Sequence, residues 1–334
     1  MEAQFYQKKD NQKVQCQLCP DNCIITEGQR GACKVRKNIN GTLIAENYGL
    51  VSAAHTDPIE KKPLYHFYPG KPVLSLGTAG CNLHCVFCQN WEISQSTVDE
   101  LTLYTLPPDD AVKKALQIVD NIGIAYTYNE PVIWYEYVYD TAMLAHEKGL
   151  KNVMVTNGYV FPDPLKKIMP LIDAFSVDLK AFNETFYKKY TKSKLHPVLE
   201  ALKIIRSHNK HLEITNLVIP GLNDNEDEFR QMIGWIAEEL GTESILHISR
   251  YFPAWKLHNP PTPTEILKHF YRIAKEYLSY VYLGNVATLE TGQDTVCPQC
   301  GSTLIKRSGY YTEVTGLDEK GNCRKCGKHV MDCI

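Results

Sequence analysis

The stretch CNLHCVFCQN places Cys81, Cys85 and Cys88 on one short loop directly after the apolar run PVLSLGTAG. That run reads as a buried strand, so the three thiols sit where a strand ends and a loop begins. Three thiolates from one loop can cap three corners of an iron–sulfur cubane and leave the fourth iron without a protein ligand. A small molecule carrying an amine and a carboxylate can chelate such an iron, and the protein then supplies position, potential and exclusion of water. The competing reading is buried thiols or a zinc site, for which His84 would serve as fourth ligand.

The rest of the composition sharpens this. The 334 residues hold 12 cysteines in three clusters, with none between Cys88 and Cys297. A secreted scaffold would spread its cysteines through a short chain as disulfides. Clusters at two- and three-residue intervals read instead as metal sites in a reducing cytosol. The opening MEAQFYQKKD lacks the apolar core of a secretory signal, so a cytoplasmic location is expected. No apolar run approaches ~18 residues, so no membrane span is expected. With 44% hydrophobic residues, 22% charged residues and a net charge of -2, the chain reads as an ordinary globular protein. That balance gives no global reason to expect a nucleic-acid partner.

From about Lys71 to about Asn285, strand-like and helix-like segments alternate. The strand candidates are PVLSLGTAG, IGIAYTY, NVMVTNG, AFSVDLK, LEITNLVIPG, ILHISRY and YVYLGN. Helical patterns run over Asp109–Asn121, Val132–Lys148, Pro164–Leu171, Pro197–His208, Asp227–Leu240 and Glu265–Leu278. In the fifth, Phe229, Met232, Ile233, Ile236 and Leu240 fall on one helical face. Near-continuous apolar strands separated by helices predict an α/β fold with a parallel sheet, doubly wound or barrel-like. Polar motifs follow several strands: the cysteines, Asn129–Glu130, Thr156–Asn157–Gly158, Asp178 with Lys180, and Arg250. Ligand sites in such folds gather at the carboxyl ends of strands, so these motifs predict one shared cavity.

Near the C-terminus, Cys297-Pro-Gln-Cys300-Gly and Cys323-Arg-Lys-Cys326-Gly are paired CxxC turns, each relieved by a glycine. They predict a tetrathiolate zinc site, with rubredoxin-like iron as the alternative, and a hairpin around Leu317–Gly321. So small a unit depends on its metal to fold. At the other end, Cys16, Cys19, Cys23 and Cys33 form a second four-cysteine set, clipped by Gly28 and Gly31. Its spacing leaves structural zinc, an auxiliary cluster and reduced thiols open. Cys333 is left over, with no role expected. His55, Lys61, Lys62 and His66 read as a solvated linker or as contacts near the cavity mouth.

The Cys-x3-Cys-x-aromatic-Cys pattern of Cys81, Cys85, Phe87 and Cys88 resembles the signature of the radical S-adenosylmethionine (SAM) superfamily, and Gly80 and Asn90 fit beside it. Leu74 to Tyr251 resembles the pyruvate formate-lyase activating enzyme branch. With DPIEKKPLYHFYPG before the triplet and FCQNW closing it, the whole chain resembles the radical SAM member of the AmmeMemoRadiSam system. The resemblance implies a partial (β/α)6 barrel over residues 71–290. A Cys-rich extension would occupy 1–70 and a zinc-ribbon-like module 291–334. It implies an oxygen-sensitive 4Fe–4S cluster that cleaves SAM reductively to a 5′-deoxyadenosyl radical, which abstracts hydrogen from a substrate. An electron donor such as flavodoxin or ferredoxin would feed it. The substrate would be a small molecule or a protein, including partner proteins of the system.

Carried over by position, Phe87 would pack near the adenine. Asn129 and Glu130 stand where the family has Gly-Gly-Glu, and only Glu130 transfers comfortably, toward the methionyl ammonium. Thr156, Asn157 and Gly158 would lie near the ribose and methionyl group, Asp178 and Lys180 would end the fourth strand, and Arg250 would meet the methionyl carboxylate. Simpler readings stand beside these: a first-turn carboxylate at Glu130, a turn at Asn157–Gly158, and an ion pair between Asp178 and Lys180. His247 reads as a packed strand histidine. Two alternatives to the main functional reading are a glycyl-radical enzyme activase and a zinc-ribbon module that binds protein or nucleic acid. The second would use Lys306, Arg307, Lys320, Arg324, Lys325 and Lys328 as a basic patch.

Overall fold

Seven apolar runs too short for helices, joined by amphipathic stretches, and one more polar edge segment build an eight-stranded sheet in the computed structural model, which describes residues 1–286 and 291–334. The strands are β1 (Ala53–Pro58), β2 (Pro72–Gly77), β3 (Gly123–Tyr126), β4 (Lys151–Thr156), β5 (Ala174–Asp178), β6 (His211–Val218), β7 (Ile245–Arg250) and β8 (Tyr280–Gly284). They lie in sequence order across the sheet. β2 to β8 are parallel and β1 pairs antiparallel with β2. The sheet is open: β1 and β8 each have a neighbour on one side. All the strand candidates are present, and YVYLGN adds a parallel strand beyond the expected six.

Helices α1 (Pro108–Leu116), α2 (Tyr135–Glu147), α3 (Pro162–Ile168), α4 (His196–Ser207), α5 (Glu226–Glu239) and α6 (Thr264–Lys275) connect the parallel strands. In α5, Asn225 caps the first turn by accepting the Glu228 N–H at 2.9 Å, and Glu226, Asp227 and Glu228 complement the helix dipole. Its face of Phe229, Met232, Ile233 and Ile236 is buried, and Phe229 stacks on Phe270 of α6 with ring centroids 4.0 Å apart. The sheet core is covered on both sides: Ile124, Ala125 and Tyr126 of β3 are all buried.

The sheet begins earlier than residue 71, because β1 lies in the segment read as an N-terminal extension. The expected boundary near residue 290 lies outside the described residues. Before β1, short antiparallel strands at Tyr6–Lys8, Val14–Cys16 and Ile24–Ile25 and a hairpin of Arg36–Ile39 with Thr42–Ala45 carry the first cysteine set. They dock on the core through Phe5, edge-on to Tyr135 at 5.1 Å, and a buried ion pair between Arg36 and Glu136. The last residues form a three-stranded antiparallel sheet of Thr295–Val296, Thr303–Ser308 and Tyr311–Val314. Cys333 is not idle: its backbone bridges Phe67, and its carbonyl accepts the Tyr68 N–H at 3.2 Å. Among the described residues no helix is long and apolar enough to cross a membrane.

Candidate active site and metal centres

β2 delivers the chain to Gly80, whose φ of +86° and close surroundings both require glycine. A Cβ there would stand 2.4 Å from the Cys33 carbonyl oxygen. The loop that follows is pinned from several directions. The N–H groups of His84 and Val86 donate to Thr191 and Tyr190, and Asn82 Nδ2 donates to the Tyr159 carbonyl at 2.7 Å. His84, the fourth ligand of the zinc alternative, has its Nδ1 2.6 Å from Gln95 Oε1 and does not line the cavity that the three cysteines face.

Cys81, Cys85 and Cys88 face a cavity of about 550 Å³ at the carboxyl ends of the strands. Phe87, Asn129, Glu130, Thr156, Asn157, Asp178 and Lys180 line the same space. The strand-end motifs thus converge. Burial pushes all three thiols above their ordinary value, Cys85 to about 12, so a thiolate here needs compensating positive charge. Irons would supply that charge. Leu83 N–H at 3.3 Å and Asn157 Nδ2 at 3.8 Å already point at Cys81 Sγ, and the three thiols on one pinned loop fit a cubane.

Glu130 has three partners. Its carboxylate accepts Val132 N–H at 2.9 Å, Thr156 Oγ1–H at 2.7 Å and Asn157 N–H at 2.8 Å. It thereby starts the 3-10 turn Pro131–Trp134 and ties β4's end to β3's. Burial pushes its pKa up to about 7, against the pull of these donors. Asn129 Nδ2 donates to the Gly80 carbonyl at 2.7 Å, clamping the cysteine loop. Gly158 turns with φ +69° and packs toward Val177 and Val198, outside the lining. Lys180 Nζ donates to Asp178 Oδ2 at 2.9 Å; burial opposes its charge, but Asp178 and then Cys85 hold the ammonium above its usual pKa.

Arg250 does not join them. Its Nε donates to the Thr262 carbonyl at 2.8 Å and its guanidinium lies over Phe252. Successive residues of a strand point to opposite faces, and Ser249 takes the cavity side. His247 is packed as expected, 2.6 Å from Glu213.

Lys61 and Lys62, read from the sequence as a solvated linker or as contacts near the cavity mouth, line the cavity, and Tyr128 and Tyr310 join them. Asp57 holds the two lysines and Tyr128 together: Lys61 Nζ at 2.8 Å, Lys62 Nζ at 2.6 Å and Tyr128 Oη at 2.6 Å. Tyr310 reaches the same cavity from the C-terminal hairpin. Asp57 is a near neighbour of both lysines in the sequence, whereas Tyr128 reaches it from across the fold.

The sulfurs of Cys297, Cys300, Cys323 and Cys326 converge to within 4.8 Å, with Cys297–Cys326 and Cys300–Cys323 both at 3.6 Å. Gly301 and Gly327 follow with φ of +70° and +76°. Four sulfurs this close can bind a metal, and their separations suit a single tetrahedral ion. The basic patch is reduced: Arg307 is buried, and Lys328 pairs with Glu243 at 2.8 Å. Among the described residues the N-terminal cysteines show no comparable convergence.

Residues 75–236 match the family model of the Radical SAM superfamily. An uncharacterized protein of Methanocaldococcus jannaschii is 46% identical over 332 residues, spanning 98% of each chain. Pyruvate formate-lyase 1-activating enzyme of Escherichia coli K12 is 22% identical over 177 residues, 52% of this chain and 71% of that protein. Among solved structures, Streptococcus suis SuiB bound to S-adenosylmethionine superposes with a TM-score of 0.51 at 11% identity, over 68% of this chain and 53% of that one, a likeness of fold. Membership of this family implies a 4Fe–4S cluster and SAM. The chain belongs to the radical SAM superfamily, on its pyruvate formate-lyase-activating-enzyme-like branch, and is an enzyme.

Proposed function

We propose that Cys81, Cys85 and Cys88 ligate the 4Fe–4S cluster, that SAM binds beside it, and that the enzyme takes a hydrogen atom from a C–H bond of its substrate. One observation carries this reading: three thiols of a single loop face the same cavity as Glu130, Asn157, Asp178 and Lys180. Bound there, cluster and SAM would supply one-electron cleavage of the sulfonium and a 5′-deoxyadenosyl radical. The chain's own residues position and shield. Glu130 offers its carboxylate to the methionyl ammonium while holding Thr156 and Asn157 in place. Lys180 takes the role first given to Arg250, as the cation for the methionyl carboxylate. Phe87 flanks the adenine side, and Asn129 fixes the loop.

The electron comes from a donor of the flavodoxin or ferredoxin class, in a reducing cytoplasm. Residues 297–326 hold zinc in a ribbon that begins near 291. The test is anaerobic reconstitution with iron and sulfide, reduction, and assay of 5′-deoxyadenosine. Wild type should form it, and a Cys81→Ala, Cys85→Ala, Cys88→Ala variant should not. Cleavage retained by that variant would sink the assignment.

The substrate is a small molecule or a partner protein. The second reading, a glycyl-radical enzyme activase, is supported by the relative from Escherichia coli K12. A glycyl-radical EPR signal on a co-expressed protein would favour it.

A further inference from the structure

The N-terminal cysteines enclose an internal void rather than a point. Cys16, Cys19, Cys23 and Cys33 all line it, with Leu18, Ile25 and Ile133 as apolar walls, Asp21 as the acid of the lining and Arg36 as its cation. We infer that these four cysteines bind a second iron–sulfur cluster, of the tetrathiolate cubane class, and not a zinc ion.

The molecule contains its own comparison. The four C-terminal sulfurs are drawn together to 3.6 Å contacts, the separation that one tetrahedral ion with metal–sulfur bonds of ~2.3 Å enforces. Neither the N-terminal four nor the central three belong to such a group among the described residues. A cubane interposes four irons between its thiolates, so its ligands stand wider apart than those of a single ion. Like the central triplet, the N-terminal set is not drawn to the single-ion spacing of the C-terminal four among the described residues.

The walls suit a buried anionic cluster. Arg36 is 1% exposed, and its Nη1 lies 3.7 Å from Cys16 Sγ. Its Nε has no hydrogen-bond partner, although the same guanidinium pairs with Glu136. An arginine so deeply buried with a free donor calls for an anionic acceptor. The Ala32 N–H lies 3.5 Å from Cys23 Sγ, an amide–sulfur contact of the kind that tunes cluster potentials. The site backs directly onto the catalytic loop, since the Cys33 carbonyl occupies the space a side chain on Gly80 would need. The inference goes beyond the reading of the central triplet and does not depend on it.

Iron, acid-labile sulfide and zinc should be counted on the full chain after anaerobic reconstitution. Wild type should hold about eight irons and eight sulfides with about one zinc. The Cys81→Ala, Cys85→Ala, Cys88→Ala variant should keep about four irons, and Cys16→Ser with Cys23→Ser should remove that half. If the central variant holds about two zincs and no iron, or the ribbon's zinc alone, the inference is overturned. If wild type stops at about four irons that survive loss of the central triplet and vanish with Cys16 and Cys23, the N-terminal cluster stands and the central assignment falls. Should a variant fail to fold, Mössbauer spectra of wild type decide: one cluster population overturns the inference and two support it.

Discussion

Glu130 Oε2 accepts the backbone N–H of Asn157 at 2.8 Å, so the carboxylate that faces the cavity also holds the end of a neighbouring strand. Glu130→Gln turns one of its acceptor oxygens into a donor facing other donors. The variant should lose about 1–3 kcal/mol of stability and bind SAM roughly ten- to a hundredfold more weakly, with cluster content unchanged. Anaerobic SAM titration beside thermal melts separates the two effects. Equal SAM affinity in a destabilised variant would leave Glu130 as an anchor alone.

Arg250→Ala should behave differently. It removes a hydrogen bond to the Thr262 carbonyl and the contact with Phe252, costing about 1 kcal/mol of stability and no SAM affinity. Lys180→Met, within the cavity, should weaken SAM binding at least tenfold, about the loss expected for a charge-assisted hydrogen bond. Titrating both variants decides between the two cations, and the opposite ranking would restore Arg250.

The contrast shows where sequence reading stops. Seven strand segments and the helix starts were legible because apolar periodicity is local: α5 was expected at Asp227–Leu240 and runs Glu226–Glu239. Ala53–Pro58 was not legible, because AAHTDP has no apolar alternation and carries a proline, which an edge strand tolerates. Arg250 was placed by motif position, whereas the two-residue period of a strand decides which side chain enters the cavity. Lys62 and His66 read as a solvated linker or as contacts near the cavity mouth; Asp57 is a near neighbour of Lys62 in sequence, but Tyr128 and Tyr282 meet these side chains through contacts that no local pattern encodes.

Acid should weaken the fold through His66. Burial holds it neutral, down to about 3 against an unfolded value of 6.5, with Glu213, Arg307, His211 and His247 facing it. The unfolded chain therefore binds an extra proton between those values, and stability is lost as pH falls below 6.5. Glu213 works the same way: burial opposes its ionisation, but bonds from His211 and His247 hold its pKa well below normal. Glu130, raised to about 7, acts oppositely. The informative quantity is thus the difference between wild type and His66→Asn in urea unfolding at about pH 5 and pH 7. Parallel pH dependences would refute the assignment.

Cys297→Ser with Cys300→Ser should release about one zinc per chain, because two thiolates cannot complete a tetrahedral site. The loss should lower the melting temperature of the whole chain, since the ribbon's strand carries Arg307 into the core. A variant that keeps its zinc would overturn the site.

Arg307 donates to the Tyr65 carbonyl at 2.7 Å and lies over the Tyr65 ring, while Thr312 donates to Glu60 at 2.8 Å. Tyr65 and His66 donate their N–H groups in turn to Glu213 in β6. The eight-stranded α/β core therefore cannot be lifted out as a freestanding scaffold for chimeras or transplanted alone onto another tail. Excising the C-terminal module would strip Glu60 of its cation and leave the Tyr65 carbonyl without its donor, so the two parts must be engineered as one unit.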